Sequence, residues 1–434
     1  MCYAKHSATV LTVATAAFLV IAWCSGRWAV AAEPDIAAVA SQEWRSYVTP
    51  LLSIGERLAP QLSNPQDPQL RRELYRGIFS QLSTAYLGLL YADPQHPDFW
   101  PFITPAYNYA GPNPDDDYYL SPIEDQGVYK ITGYRGTVKR VDFQIGTGTF
   151  FPRGVPDENI LGLTLANHDL DSVSLGKDGG FEVILSPTRP PGYLGNWWQL
   201  YPKTTYLLVR QISYDWLTEV DGRFAIERLD RVAAKPRPTA AELEENLQQI
   251  AKWTEATVQF SLNFTRGLYR DQGVNTMAYK NLKQYGEIVT QRYAYGGFDL
   301  APDEALVIEA RVPEKCRYWS MHLMDDTGFA MDWVNRQTIL NGFTAAIDKD
   351  GVFRAVVSAQ DPGVPNWLDT MGYRQGAIQA RWELCSAWPD HKVTKIKTAK
   401  VRDYLPAGTA VITPEAREGT IRLRRRMAQM RKRW

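Results

Sequence analysis

An excess of charge of either sign is missing from this chain: 48 basic and 48 acidic side chains cancel over 434 residues. That balance gives no electrostatic case for nucleic acid as a specific partner, because phosphate recognition needs a basic face. Catalytic motifs are missing as well. There is no Gly-x-Ser-x-Gly elbow, no His-Glu-x-x-His, no phosphate loop and no dinucleotide fingerprint, which argues against a nucleotide-using enzyme and predicts no cofactor and no metal centre. Internal repeats and low-complexity tracts are absent too. Cysteine is scarce, at four residues, so each one can be followed individually.

One apolar run stands near the N-terminus. Lys5 and His6 precede Val10 to Trp23, and Ala29-Val30-Ala31-Ala32 follows before Glu33-Pro34. This pattern predicts a secretory signal over residues 1–32, cleaved near Ala31 or Ala32. A membrane anchor fits less well, since the run falls short of the ~20 residues a spanning helix needs. A lipid-attachment site would place a small residue, not Trp23, before Cys24. The expectation is a periplasmic or secreted protein. Losing the signal removes Cys2 and Cys24, leaving Cys316 and Cys385 as an even pair that suggests one disulfide. By strand alternation Cys316 leads onto the face of Tyr318, Ser320 and His322, and Cys385 shares a face with Arg381 and Glu383, so both are expected on polar sides.

About 400 mature residues exceed the ~250–300 at which one core stops growing, so two packed units are expected. Apolar residues at helical spacing, Leu70, Leu74, Ile78, Leu82, Tyr86 and Leu90, predict a docking helix with Asp67 as N-cap and Pro68 at its first position. Alternation then takes over. Val141, Phe143 and Ile145, then Leu161, Leu163 and Leu165, then Phe181, Val183 and Leu185, read as strands with one buried face. Thr239-Ala240-Ala241-Glu242 has the form of a capping box, and Leu243, Leu247, Ile250, Thr254 and Val258 continue a helix. Strands resume at Leu306-Ile308-Ala310, Trp319-Met321-Leu323, Phe353-Ala355-Val357 and Ile378-Ala380-Trp382-Leu384. The predicted class is mainly β, with two antiparallel β-sandwich, jelly-roll-like units, an N-terminal helical segment and a helical connector. The expected boundaries are 33–105 for the helical segment, 106–236 for the first sandwich, 237–290 for the connector, 291–411 for the second sandwich and 412–434 for a basic C-terminal helix.

The most irregular stretch runs from Val357 through Asp361-Pro362-Gly363-Val364-Pro365-Asn366-Trp367-Leu368-Asp369 to Tyr373. With Asn113-Pro114-Asp115, Tyr118-Tyr119-Leu120-Ser121-Pro122-Ile123, Gly195-Asn196-Trp197, Val209-Arg210-Gln211 and Tyr214 to Glu219, it resembles the bacterial family called domain of unknown function 1214. The likeness covers roughly residues 108–390 and implies β-sandwich structure without an established chemistry. Tyr373 follows Gly372 where many relatives carry histidine. Larger relatives add a companion N-terminal domain that residues 36–100 do not plainly match.

Candidate site residues follow from loops and misplaced polar groups. Asn113, Asp115, Asp116 and Asp117 could hold Ca²⁺ through oxygen, but the spacing matches no known calcium loop and a solvated turn is the better explanation. Arg210 shares a strand face with Tyr206, Leu208, Ile212, Tyr214 and Trp216, so its guanidinium needs an internal acid or an anionic ligand. Asp361 and Asp369 around Asn366 and Trp367 could flank a sugar, tryptophan stacking on the ring; Asp361 could equally cap a turn. His322 and His168 are hydrogen-bonded or surface histidines, or, for His322, a catalytic group. The functional expectation is a small organic or carbohydrate ligand bound by Asn113, Asp115, Arg210, Asn366 and Trp367 near the Asp-Pro-Gly loop. Any catalysis would fall to Asp361, Asp369 or His322. The alternatives are a cofactor-free hydrolase or lyase using carboxylates, and a structural component of the cell envelope. The basic end Arg422 to Trp434 could touch anionic lipid or simply complete the surface as a frayed helix.

Overall fold

Alternating apolar side chains draw four β-sheets into two sandwiches. The computed structural model describes residues 35–109, 111–148, 162–281, 288 and 290–431. The expected signal segment, Leu161 and the last three residues of the basic tail lie outside them. The first half contributes β1 (Trp100–Ile103), β2 (Asp116–Pro122), β3 (Tyr129–Tyr134), β4 (Arg140–Thr147), β5 (Leu163–Asp169), β6 (Gly180–Ser186), β7 (Asn196–Gln199), β8 (Tyr206–Ile212) and β9 (Arg223–Arg228). Sheet I has the order β7-β6-β3-β9 and sheet II the order β1-β2-β8-β4-β5. Between them lies a core of Ile131, Phe143, Val183, Trp198 and Val209.

The second half repeats the arrangement. Its strands are β10 (Ala278–Lys280), β11 (Gln291–Asp299), β12 (Glu304–Arg311), β13 (Tyr318–Met324), β14 (Ile339–Asn341), β15 (Val352–Ser358), β16 (Trp367–Asp369), β17 (Gln375–Glu383) and β18 (Lys392–Lys397). Sheet III runs β10-β11-β17-β13-β14 and sheet IV β16-β15-β12-β18. Leu306, Ile308, Trp319, Met321, Phe353, Ala355, Ile378 and Trp382 meet in one core, so the period-two pattern marked the right side chains. Leu384 departs from it. It follows the end of β17 with a positive φ of 47° and is 48% exposed.

Helices close the edges. Within residues 1–43 the described part begins at Asp35, whose carboxylate accepts the Ala37 N–H at 3.0 Å and starts α1 (Ile36–Leu52). α2 (Ile54–Leu58) follows, and then α3 (Pro68–Tyr86), where Asp67 accepts the Gln69 N–H and Pro68 takes the first position, as the sequence implied. α4 (Ala240–Gln272) carries the complete Thr239–Glu242 capping box. Its Val258 and Leu262 pack on Leu74 of α3, while Phe264 and Leu268 reach Tyr293 and Tyr295 of sheet III. α5 (Val401–Tyr404) and α6 (Pro414–Met430) end the fold. Among the described residues no helix is long and apolar enough to cross a membrane.

Cys316 and Cys385 form a disulfide across β13 and β17. The pair is the expected one, but its setting differs: both sulfurs pack against the second apolar core, not a polar face. The positive φ of Leu384 breaks strand alternation just before Cys385. The bridge closes a span of 69 residues, so reduction or the double Cys316→Ser/Cys385→Ser change should cost about 2–4 kcal/mol through the unfolded chain. Urea midpoints with and without reductant test this, and coincident curves would contradict it.

Candidate functional site

Sheets II and III turn their second faces toward each other, and these faces are polar. On sheet II, Tyr118, Arg210 and Asp142 align across β2, β8 and β4, flanked by Asp116, Arg140 and Gln144. Across sheet III, Tyr293, Arg381 and Ser320 make one row, and Tyr295, Gln379 and His322 the next. A seam therefore runs between the sandwiches, lined by hydrogen-bonding groups that must find partners. One end is closed by ions. Arg140, 2% exposed, pairs with Asp142 at 2.6 Å and with the fully buried Glu383 of sheet III, while Arg317 holds Asp169 and Asp171. Helix α4 fills the other end with Phe260, packed among Tyr118, Tyr206 and Leu208, and with Phe264 and Leu268.

Between these ends stands Arg381, only 4% exposed. Its Nη1 lies 2.9 Å from Nδ1 of His322, and its Nη2 donates to the Gly111 carbonyl at 2.9 Å and to Oε1 of Gln379 at 2.8 Å. All three acceptors are neutral. Gly111 has a φ of 59°, and a Cβ there would strike the Met324 sulfur at 2.0 Å, so only glycine delivers this carbonyl to the guanidinium. His322 is fully buried, and burial together with the Arg381 charge holds its imidazole well below its ordinary value. Arg210 lies on the opposite wall, half-buried, bonded to Gln144 and set 6.0 Å above the Tyr118 ring.

The Asn113–Asp117 loop folds into the rim of this seam. Asn113 donates to Asp116 and to Tyr318 OH, each at 2.8 Å. Asp115 accepts from Tyr318 OH at 2.7 Å, from Trp216 Nε1 at 2.9 Å and from Asn341 at 3.1 Å. Burial raises its carboxyl above the ordinary value against those donors and the charges of Arg431 and Arg424. Burial also pushes Asp116 up to about 7, although Arg381 and Arg210 oppose it. These carboxylates turn to different donors. Among the described residues no group of three or more His, Cys, Asp or Glu side chains converges as a metal site.

The structure places the other sequence candidates elsewhere. Trp367 lies in an apolar cluster formed by β12, β15 and α5, apart from the core shared with sheet III. Its indole donates to Ser358, and Asn366 is spent on the Ala346 and Arg354 backbone. Asp369 pairs with Arg336 at 2.9 Å and caps Met371. Asp361 caps Gly363 and pairs with Arg417 of α6 at 2.8 Å. Asn113, Asp115 and His322 thus gather at or beside the seam with Arg210, whereas Asp361, Asn366, Trp367 and Asp369 do not. Trp216 and Tyr214 lie beyond β8, which ends at Ile212, and not on one strand with Arg210. Tyr373 donates to Glu73 of α3 at 2.6 Å.

The Asp-Pro-Gly loop has a different occupant, the C-terminal helix. Arg417, Arg424 and Arg431 recur every seven residues, so they project from one side of the helix, and all three are buried. Arg417 reaches Asp361, Gln337 and the Val364 carbonyl and lies 5.2 Å from the Trp367 ring. Arg424 donates to the Trp333 carbonyl and covers Trp216 at 4.5 Å, burial bringing it down to about 10. Arg431 donates to the Asp115 carbonyl at 3.0 Å and pairs with Asp117 at 3.2 Å. The basic end is a strap joined to both sandwiches, not a frayed surface helix.

Sequence reasoning missed Arg381, Tyr293, Tyr295 and Gln379. The signal was present in β17, where Gln379, Arg381 and Glu383 alternate with Ile378, Ala380 and Trp382. A strand with one apolar and one strongly polar buried face has a second protein layer behind it.

A two-sandwich protein with a polar seam is the class that this geometry defines. Residues 297–381, which cover the end of β11, β12 to β16 and most of β17, match the family model described as Protein of unknown function (DUF1214), so the resemblance to that family is shown over this region. The chain is similar to the crystal structure of an uncharacterized protein from Burkholderia cenocepacia, at 27% identity over 84% of this chain and 99% of that one, with a TM-score of 0.76. The VPA0106 protein from Vibrio parahaemolyticus aligns at 15% identity over 74% and 99% of the two chains, with a TM-score of 0.42. No curated protein matches.

Removing Arg417 strands Asp361 and the Val364 carbonyl, so Arg417→Ala should lower stability by about 2–3 kcal/mol. The exposed Arg422→Ala control on the same helix should leave the urea midpoint unchanged, and equal effects of the two would refute the strap. Asp116 offers a pH test. Its folded value of about 7 lies above the ordinary 3.8, so its stabilising contribution is full below the ordinary value and is lost as pH rises through about 7. The melting-temperature advantage of Asp116→Asn over wild type should therefore grow from about pH 4 to about pH 7 and then level off. A constant difference would mean an ordinary carboxyl.

Proposed function

We propose that this is an exported protein that binds a small organic ligand in the seam between its sandwiches. The observation that carries the reading is Arg381: a buried guanidinium facing a second wall of protein, held only by neutral acceptors and paired with no carboxylate among the described residues. A buried cation of this kind is costly unless a counter-charge arrives. Tyr118, Tyr293 and Tyr295 supply flat walls beside it, the composition usual for sites that bury organic molecules. Placing the ligand here, not at the Asp-Pro-Gly loop, follows from the occupation of that loop by Arg417. Export is supported by the signal pattern of residues 1–32 and by a disulfide of the kind that persists in oxidising compartments.

A second reading, a cofactor-free hydrolase or lyase using a carboxylate, is favoured by Asp116, whose value of about 7 suits a general acid or base near neutral pH. One experiment addresses both. Protein recovered from the periplasm of an expressing bacterium, with its mature N-terminus read by mass spectrometry, is equilibrated with a metabolite extract and examined by native mass spectrometry. Binding predicts a retained small-molecule adduct that Arg381→Met reduces at least about tenfold, the loss of a charge-assisted contact. Catalysis predicts consumption of an extract component by wild type and not by Asp116→Asn. No adduct and no consumption would refute the seam as a site.

A further inference from the structure

Resting on that reading, the seam also carries information about the chemistry of its ligand. The Nη1 of Arg381 can only donate, so Nδ1 of His322, 2.9 Å away, presents a lone pair. The ring is neutral, because burial and the arginine charge hold it well below its usual value. A neutral imidazole that accepts at Nδ1 carries its proton at Nε2. That Nε2–H is buried and has no partner among the described residues. Arg381 spends its Nη2 donors on Gly111 and Gln379 and one Nη1–H on His322, so Nε–H and the second Nη1–H have no acceptor among the described residues. β13 and β17 thus present adjacent donors without acceptors among the described residues, beside the positive charge of Arg381.

We propose that the seam takes a small monocarboxylate with a flat apolar body, its oxygens held by Arg381 and the Nε2–H of His322. A carboxylate brings one negative charge to the one guanidinium that it would touch, Arg381, and needs no second cation beside it. A planar carboxylate also matches the planar guanidinium in shape. The body lies along Tyr293, whose ring is 5.8 Å below the Arg381 guanidinium, and Tyr295, whose ring is near-parallel to it at 6.2 Å. Asp116 acts on Arg381 through space without forming an ion pair with it, so among the described residues no carboxylate oxygen occupies the remaining donors of Arg381.

The test uses benzoate and its neutral isostere benzamide as probes, with protein ¹⁵N-labelled at histidine. The His322 resonances are assigned by their loss in His322→Gln. Benzoate should shift the Nε2–H correlation of His322, and benzamide should not at equal concentration. His322→Phe should weaken benzoate about 10- to 100-fold, the loss of a hydrogen bond to a charged group, while His322→Gln, which keeps an N–H donor, should retain affinity within a few-fold. Melting temperatures of both variants establish that they fold. If benzoate leaves His322 unmoved, or benzamide binds equally well, the carboxylate assignment is overturned. A neutral adduct from the metabolite extract, displaced by Arg381→Met, would then still uphold the seam as a site.

Discussion

The fold depends on one buried cation. Arg140 projects from sheet II into a gap where water cannot follow and finds Asp142 beside it and Glu383 across it. Both acids are fully buried, and breaking such a pair by removing one partner leaves an uncompensated charge. Apolar packing alone would let two sandwiches slide over each other, since one methyl contact replaces another at little cost. A charge that must meet its partner admits one register. Arg317 with Asp169 and Asp171 repeats the constraint a short way along, and from it follows the alignment of every other polar row in the seam.

This joint explains how the interior divides its tasks. The cores between sheets I and II and between sheets III and IV are apolar and supply stability through burial. The middle interface is built from arginine, tyrosine, glutamine and histidine, which bury poorly and bond specifically. The proposed ligand is placed there because Arg381 and His322 keep donors without acceptors among the described residues.

Much of the architecture was legible in the sequence, for a physical reason. Strands with one buried face write a period of two, so Phe353-Ala355-Val357 and Ile378-Ala380-Trp382 are assigned to a core by the sequence alone. The capping box at Thr239 and the Asp67–Pro68 helix start were equally local. What could not be read was the destination of the other faces. Gln379, Arg381 and Glu383 look like a solvated strand surface until a second sheet is placed over them, and that placement depends on contacts more than 200 residues apart, such as Arg381 with Gly111. The Asp-Pro-Gly loop misled for the same reason. Its irregular, polar look suggested a ligand, and the partner proved to be a helix of the same chain, whose seven-residue arginine spacing carries no apolar stripe for pattern reading to detect.

That helix also imposes an order of events. α6 follows every strand among the described residues, and its arginines grip Asp361 of the second sandwich and Asp117 and the Asp115 carbonyl of the first. Each sandwich can bury its own core from residues already synthesised, as sequential units generally do. The two cannot be strapped together until α6 has been made. A nascent molecule that lacks α6 is therefore two finished halves without their strap, and emergence of that helix is the step that locks them together.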